Sequence, residues 1–297
     1  MTLGIEVRDL RVTYGDVVAI DDLTLSLPGG RIYGLLGRNG SGKTSLLSVL
    51  AAFRKASSGS ALVGGEPVFE NGRITSQVCL IREAGDVDPG DSVRDTLSLA
   101  ECLRPNWDAG FAADLVDRFG LPPRRKVGSL SRGQRSALGS VVGLAARAPV
   151  TMFDESYLGM DAPSRYLFYD ALLDDFLANP RTIVVSTHLI EEVARIFEEV
   201  VIIERGRLVL HDGTDALRSR GVSVTGPVAA VEAFVAGLTG FAVLGDRQLG
   251  PTRSVTGYGE LTGEQRRQAA GAGLELGPIG LQDLFVHLTT RAQGATP

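Results

Sequence analysis

The chain has 297 residues, 44% of them hydrophobic, 22% charged and 6% aromatic, a globular composition that excludes a wholly disordered or fibrous protein. Its net charge of -5 provides no footprint for nucleic acid, so no nucleic-acid partner is expected. The two cysteines, Cys79 and Cys102, form no CxxC pattern; they support neither a disulfide scaffold nor a thiolate metal site and fit a reducing cytosol. The opening MTLGIEVRDL lacks a basic segment followed by an apolar core, so no signal peptide is expected. No stretch approaches the roughly 20 apolar residues of a membrane span, which leaves any spanning to another chain.

In chain order, alternating patterns at Ile5–Leu10 and Val18–Leu27 read as β-strands, and Ile32–Leu36 as a short apolar strand running into a glycine-rich turn. A helix pattern runs from Thr44 to about Phe53. Residues 54–76 are Ser/Gly-rich and loop-like, with one short strand near Ala61–Val63, and Gln77–Ile81 is a further apolar strand. Three helical patterns follow at about 91–104, 110–119 and 132–147, separated by Pro105, Pro122 and Pro123. Strands resume at Val150–Phe153 and Thr182–Ser186, with a helix at about 162–178 between them. Leu167, Phe168, Leu172, Leu173 and Phe176 give that helix a core-facing stripe. Strands separated by helices favour a parallel sheet with helices packed on it.

After Arg220 the pattern restarts as β-α-β-β-α-β plus a terminal helix, the order of a split βαβ unit as in ferredoxin-like folds. The expected division is a domain at 1–220, with a helical block at about 84–147, and a small α+β accessory domain at 221–297.

Gly37-Arg38-Asn39-Gly40-Ser41-Gly42-Lys43-Thr44 is a G-x4-G-K-T loop between an apolar strand and a helix. Backbone N–H groups of such a loop wrap a phosphate chain, Lys43 reaches the terminal phosphates, and the Thr44 hydroxyl ligates Mg²⁺. Lys43 is one of only three lysines in the chain. About 110 residues downstream, Val150–Phe153 ends in Asp154 and Glu155. Asp154 is placed to hold Mg²⁺, and Glu155 to orient or deprotonate an attacking water. Leu130-Ser131-Arg132-Gly133-Gln134 opens a long helix, whose N-terminus offers a second phosphate-facing surface or a simple N-cap at Ser131.

In this order and spacing, Gly37–Thr44, Leu130–Gln134 and Asp154–Glu155 resemble the nucleotide-binding subunit of an ATP-binding cassette (ABC) transporter over residues 3 to about 215. Leu130–Gln134 resembles the family's LSGGQ signature, with Arg132 replacing a glycine. Ser156–Asp161 resembles the D-loop, and Ser186-Thr187-His188 the switch histidine. One position departs: Glu83 stands where the family places a glutamine, and as a harder, charged oxygen donor it remains able to ligate Mg²⁺.

The resemblance implies a P-loop NTPase fold: an ABC ATPase core with an antiparallel β-subdomain and a helical insertion, here followed by the small C-terminal α/β domain. It implies ATP and Mg²⁺ as cofactors. ATP would be held by Tyr14, stacked on adenine, by Gly37–Thr44 with Ser45, and by Glu83. Ser131, Gly133, Gln134 and Asp161 of a second cassette would close over it. Lys43, Glu155 and His188 would be the catalytic groups, with Thr44, Asp154 and Glu83 on the metal. The implied partners are a transmembrane permease and a second cassette, at the inner face of the cell membrane. The expected cargo is a hydrophobic or antibiotic-like compound moving outward. The alternative is a soluble ABC ATPase of translation or DNA repair, disfavoured by a single cassette without heptads or a basic surface.

Overall fold

The computed structural model describes residues 2–83 and 87–294. Ala84 to Asp86, the first residues of the expected helical block, lie outside the described residues. The chain divides into two compact units, one of Met1–His188 with Ile203–Leu208 and the other of Leu189–Ile202 with Val209–Pro297.

In the first unit, β1 (Ile5–Tyr14) and β2 (Val17–Leu27) form an antiparallel pair whose inward residues, such as Ile5, Leu10, Ile20 and Leu23, are fully buried. β3 (Ile32–Leu36) is buried at every position and runs into α1 (Lys43–Leu50). The expected extension of α1 to Phe53 fails. The N–H groups of Phe53 and Arg54 turn back to the Ser48 carbonyl, and Ala52 takes a positive φ of 58°. β4 (Ser58–Val63) and β5 (Glu66–Pro67) complete the order β2-β1-β4-β5. β4 starts three residues before the short strand expected near Ala61–Val63, a start the sequence hides because Ser58-Gly-Ser carries no apolar alternation before Ala61. After the single turn α2 (Gly72–Thr75) comes β6 (Val78–Ile81).

α3 (Val93–Leu103) starts at a Ser92/Asp95 capping box, α4 (Ala109–Arg118) at Asp108, and α5 (Arg132–Ala145) at a Ser131/Gln134 capping box. The hydrogen bonds from Ser92 hold the Asp95 carboxyl below its ordinary pKa. β7 (Val150–Asp154), α6 (Ala162–Ala178) and β8 (Thr182–Thr187) close the unit. β3, β8, β7 and β6 lie side by side in that order, all parallel and all buried at every position, as strands covered on both faces are. Phe168 and Leu172 of α6 are fully buried, and Phe168 meets Phe153 edge-to-face at 5.1 Å.

The second unit contains α7 (Ile190–Val193). β9 (Glu199–Glu204) and β10 (Arg207–Gly213) follow, their residues Ile203–Leu208 belonging to the first unit. Then come α8 (Thr214–Arg220), β11 (Gly221–Pro227), α9 (Val228–Ala236), β12 (Ala242–Leu249), β13 (Thr252–Tyr258), α10 (Gly263–Gly271), β14 (Glu275–Pro278) and α11 (Leu281–Gly294). Its sheet is antiparallel in the order β12-β13-β11-β14, over a core of Val222, Val224, Val231, Phe234, Val255 and Leu274. His211 engages Glu199 at 2.7 Å, and His287 packs on Gly245.

α5 is seated on the parallel sheet through Gly143. A Cβ there would stand 2.6 Å from Phe153 Cε1 and 2.7 Å from Ile81 Cγ1, both deeply buried. Gly143→Ala gains about 1 kcal/mol of helix propensity. Overpacking a close-packed core costs about 1–3 kcal/mol, so the net effect is loss of stability. Urea unfolding should give a lower midpoint at an unchanged slope; a raised midpoint would contradict this packing.

Candidate functional site

The parallel sheet sets the site. Register pairs Leu36 of β3 with Thr187 of β8, and Ser186 of β8 with Asp154 of β7, so three strands end side by side. The glycine loop, Glu155 and His188 leave from those ends, where open α/β sheets place their ligands.

The loop itself is defined by close approach. A Cβ on Gly37 would fall 2.2 Å from Ser41 Oγ and 2.6 Å from the Ile203 carbonyl, and one on Gly42 2.6 Å from the Ala19 carbonyl. Gly42 also sits at φ 109°, open only to glycine, and serves as the N-cap of α1 without a capping side chain. The loop closes on itself through Ser41 N–H donating to Arg38 O at 3.0 Å, and Gly206 N–H donates to Ser41 O at 2.8 Å. Ser41 Oγ is buried without a hydrogen-bond partner among the described residues, a donor turned into the loop. A cavity of about 500 Å³ opens over this loop, lined by Asn39 through Ser45, Val17 to Ala19, Glu83 and Glu155.

Lys43 is 5% exposed; its Nζ donates to Gly37 O at 2.7 Å and lies 3.4 Å from Glu155 Oε1. Glu155 holds a positive φ of 48°, a strained backbone of the kind that collects at functional sites. Its Oε1 is 3.6 Å from His188 Nδ1. Asp154 is buried and accepts a hydrogen bond from Ser186 Oγ at 2.7 Å. The buried Tyr157 hydroxyl is a hub, 2.8 Å from Thr187 Oγ1, 3.3 Å from His188 Nδ1 and 3.2 Å from the His188 amide that donates to it. Lys43, Glu155 and His188 therefore converge beside the cavity, and Glu83, two residues past β6, lines it.

Tyr14 stands at the end of β1, its hydroxyl 3.3 Å from Ser45 Oγ and its ring under the Arg54 guanidinium at 3.7 Å. Ser131 and Gln134 spend their side chains on the capping box, each at 3.1 Å from the other's backbone N–H. Gly133 abuts the Gly159 carbonyl. Asp161 caps α6 by accepting from the Ser164 N–H at 3.0 Å, and the Ser164 hydrogen bonds hold its carboxyl below the ordinary aspartate value. None of these four lines the cavity within one chain.

A triphosphate with Mg²⁺ suits this donor set. The loop presents backbone and a buried hydroxyl where side chains would block, and Thr44 and Asp154 supply hard oxygens, while Glu83, expected on the metal, has its Oε1 engaged by the Arg132 guanidinium. Among the described residues no three His, Cys, Asp or Glu cluster as a metal cage. Mg²⁺ characteristically takes few protein ligands and completes its shell with phosphate and water.

The family model described as ABC transporter matches residues 20–157, a span that includes Lys43, Ser131 and Glu155. The chain is 31% identical over 219 residues to the Nod factor export ATP-binding protein I of Burkholderia orbicola, covering 72% of each. The chain belongs to the ABC transporter family. It is an ABC-type ATPase, an ATP-binding and ATP-hydrolysing member. It is also 25% identical to the ABC transporter ATP-binding protein YtrB of Bacillus subtilis, over 74% of this chain and 75% of that one. With the doxorubicin resistance ATP-binding protein DrrA of Mycobacterium tuberculosis it shares 28% identity, over 73% and 68%. A solved ATP-binding subunit of an ABC transporter superposes with TM-score 0.65 at 22% identity, over 73% of this chain and 92% of that one. A dimeric, post-hydrolysis ATP-binding cassette bound to ADP and Pi superposes with TM-score 0.62 at 17% identity, over 71% and 98%. These last two likenesses establish the ABC ATPase fold. Among the described residues of this ABC ATPase, no helix is long and apolar enough to cross a membrane.

Sequence reading passed over the Tyr157 hub and the Ser186 contact. Ser186 carried a signal, because alternation puts it on the same strand face as His188; Tyr157 carried none beyond its place in the D-loop. Tyr157→Phe removes the hydroxyl that orients His188 and should lower kcat about ten-fold with KM for ATP little changed, the scale of one lost hydrogen bond. Steady-state ATPase kinetics check this; an unchanged kcat would discount the hub.

Proposed function

We propose that this chain is the energy-coupling subunit of an exporter that moves a hydrophobic or antibiotic-like compound through a separate permease. Lys43 and Glu155 on one loop-lined cavity, with His188 3.6 Å from Glu155, carry the ATPase part of this reading. The export direction draws on relatives whose names refer to Nod factor export and doxorubicin resistance.

Phosphoryl transfer to water is mostly positioning and charge neutralisation. Lys43 and the loop amides bind the β- and γ-phosphates. Glu155, held between Lys43 and His188, orients the attacking water and accepts its proton. His188, fixed by Tyr157, would face the γ-phosphate. Thr44 and Asp154 would hold Mg²⁺, which supplies charge neutralisation at the phosphates; the Glu83 carboxylate is engaged by Arg132 instead. Tyr14 offers its ring to adenine. Ser131, Gly133, Gln134 and Asp161 sit outside their own cavity, which supports a pair of cassettes, each sealing the other's nucleotide.

The permease has a fitting surface. A cavity of about 350 Å³ lies between the strand end and the helical block, lined by Phe53, Leu80, Ile81, Leu99, Leu103 and Val142. Phe53, Leu99 and Leu103 are more than half exposed, an apolar patch that a cytoplasmic segment of the permease would cover. The subunit would then act in the cytoplasm, peripheral on the inner face of the membrane. The ATPase domain is taken as 1–220, with its helical subdomain at 84–147. The accessory domain is taken as 221–297; its antiparallel sheet order supports a ferredoxin-like reading.

Glu155→Gln should bind ATP as the wild type does, lose turnover by about 10²–10⁴-fold, and accumulate an ATP-held dimer in size-exclusion chromatography. Full hydrolysis in that variant would remove Glu155 as the base. Purification of the tagged chain from detergent extracts should bring down a polytopic membrane protein; a ribosome in its place would replace the transport reading.

A further inference from the structure

Glu83 and Arg132 lie 49 residues apart in sequence, one after β6 and the other at the first position of α5. Glu83 stands where the resemblance places a glutamine and Arg132 where it places a signature glycine, and the fold brings the two together: the Arg132 guanidinium donates to Glu83 Oε1. One helical turn along the same face of α5, the buried Ser136 hydroxyl lies 3.1 Å from the Glu83 carbonyl and 2.7 Å from the Leu158 carbonyl. Both the side chain and the backbone of Glu83 are thus held by α5. Gly133, between those two contacts, rests on the Gly159 carbonyl, where a Cβ would come within 2.5 Å.

Glu83 also lines the phosphate-loop cavity, as does Glu155. A polyphosphate entering this space meets Lys43 and the two carboxylates of Glu83 and Glu155. An unpaired Glu83 would add repulsion at the rim, and Arg132 cancels it from within the same chain.

We propose that Arg132 is a positioning residue that neutralises and orients Glu83, so that the N-terminus of α5 and the rim of the nucleotide cavity move as one piece. The pair is about half exposed on both sides, and such pairs are weak and screened by salt. It is therefore a trim on nucleotide affinity rather than a structural pillar. The inference rests on the reading of the cavity as the ATP site.

The test is equilibrium binding of a fluorescent ATP analogue with Mg²⁺ to the full chain, for wild type, Arg132→Gln, Arg132→Lys, Glu83→Gln and Glu83→Gln/Arg132→Gln, at low and high salt. Thermal unfolding confirms that each variant is folded. Arg132→Gln should bind about two- to five-fold more weakly than wild type, the range an exposed ion pair provides. Arg132→Lys should retain most of the affinity, and the double variant should bind tighter than Arg132→Gln. The loss in Arg132→Gln should shrink as salt rises. Unchanged affinity in Arg132→Gln, or a double variant no tighter than it, would overturn the proposal. Failure of the wild type to bind, or binding indifferent to Lys43→Ala, would instead strike the underlying ATP-site reading.

Discussion

A backbone can wrap a phosphate chain only where side chains leave room, and this constraint governs the first unit. The position a Gly37 side chain would need is occupied by Ser41 Oγ and by the Ile203 carbonyl. Gly206 in turn clasps Ser41 from outside through its N–H. The loop is therefore a tight ring of glycines braced by the β9–β10 turn, and Lys43 is held at its centre by the Gly37 carbonyl. Enlarging any of these contacts would open the ring and misdirect the one buried lysine.

The chemistry around that ring is assembled by strand register rather than by sequence proximity. β3 delivers the loop, β7 delivers Asp154 and Glu155, and β8 delivers Ser186 and His188, each to the same edge. A continuous apolar strand such as Val150–Phe153 ends in carboxylates because its interior is buried on both faces and only its tip meets the cavity. Tyr157, emerging just after Glu155, crosses back to β8 and ties the two strand ends through Thr187 and His188. Position follows from the sheet, and fine orientation from a single hydroxyl.

Much of this was legible in the sequence, for stated physical reasons. The glycine loop, the acidic strand tip and the capped helix at Ser131 are local patterns, and each occurs where its residues indicate. Strand β4 was partly hidden, because its early residues are small and its pairing with β1 is a tertiary matter. Helix α1 stops short of Phe53 for a similar reason: its end is set by bonds back to Ser48, which residue pattern does not specify. Least legible were contacts between distant segments. Nothing at Arg132 marks Glu83 as its partner, and nothing at Arg54 announces that it will lie over Tyr14.

The short run from Leu80 to Glu83 touches two different spaces. Leu80 and Ile81 face the apolar groove, Arg82 lies over the ring of Phe53, which shares that groove, and Glu83 reaches the cavity above Lys43. Only Arg82 separates Ile81 from Glu83. The two spaces are thus joined by a lever arm only two residues long. A tug of an ångström at one end has little slack in which to dissipate before it arrives at the other.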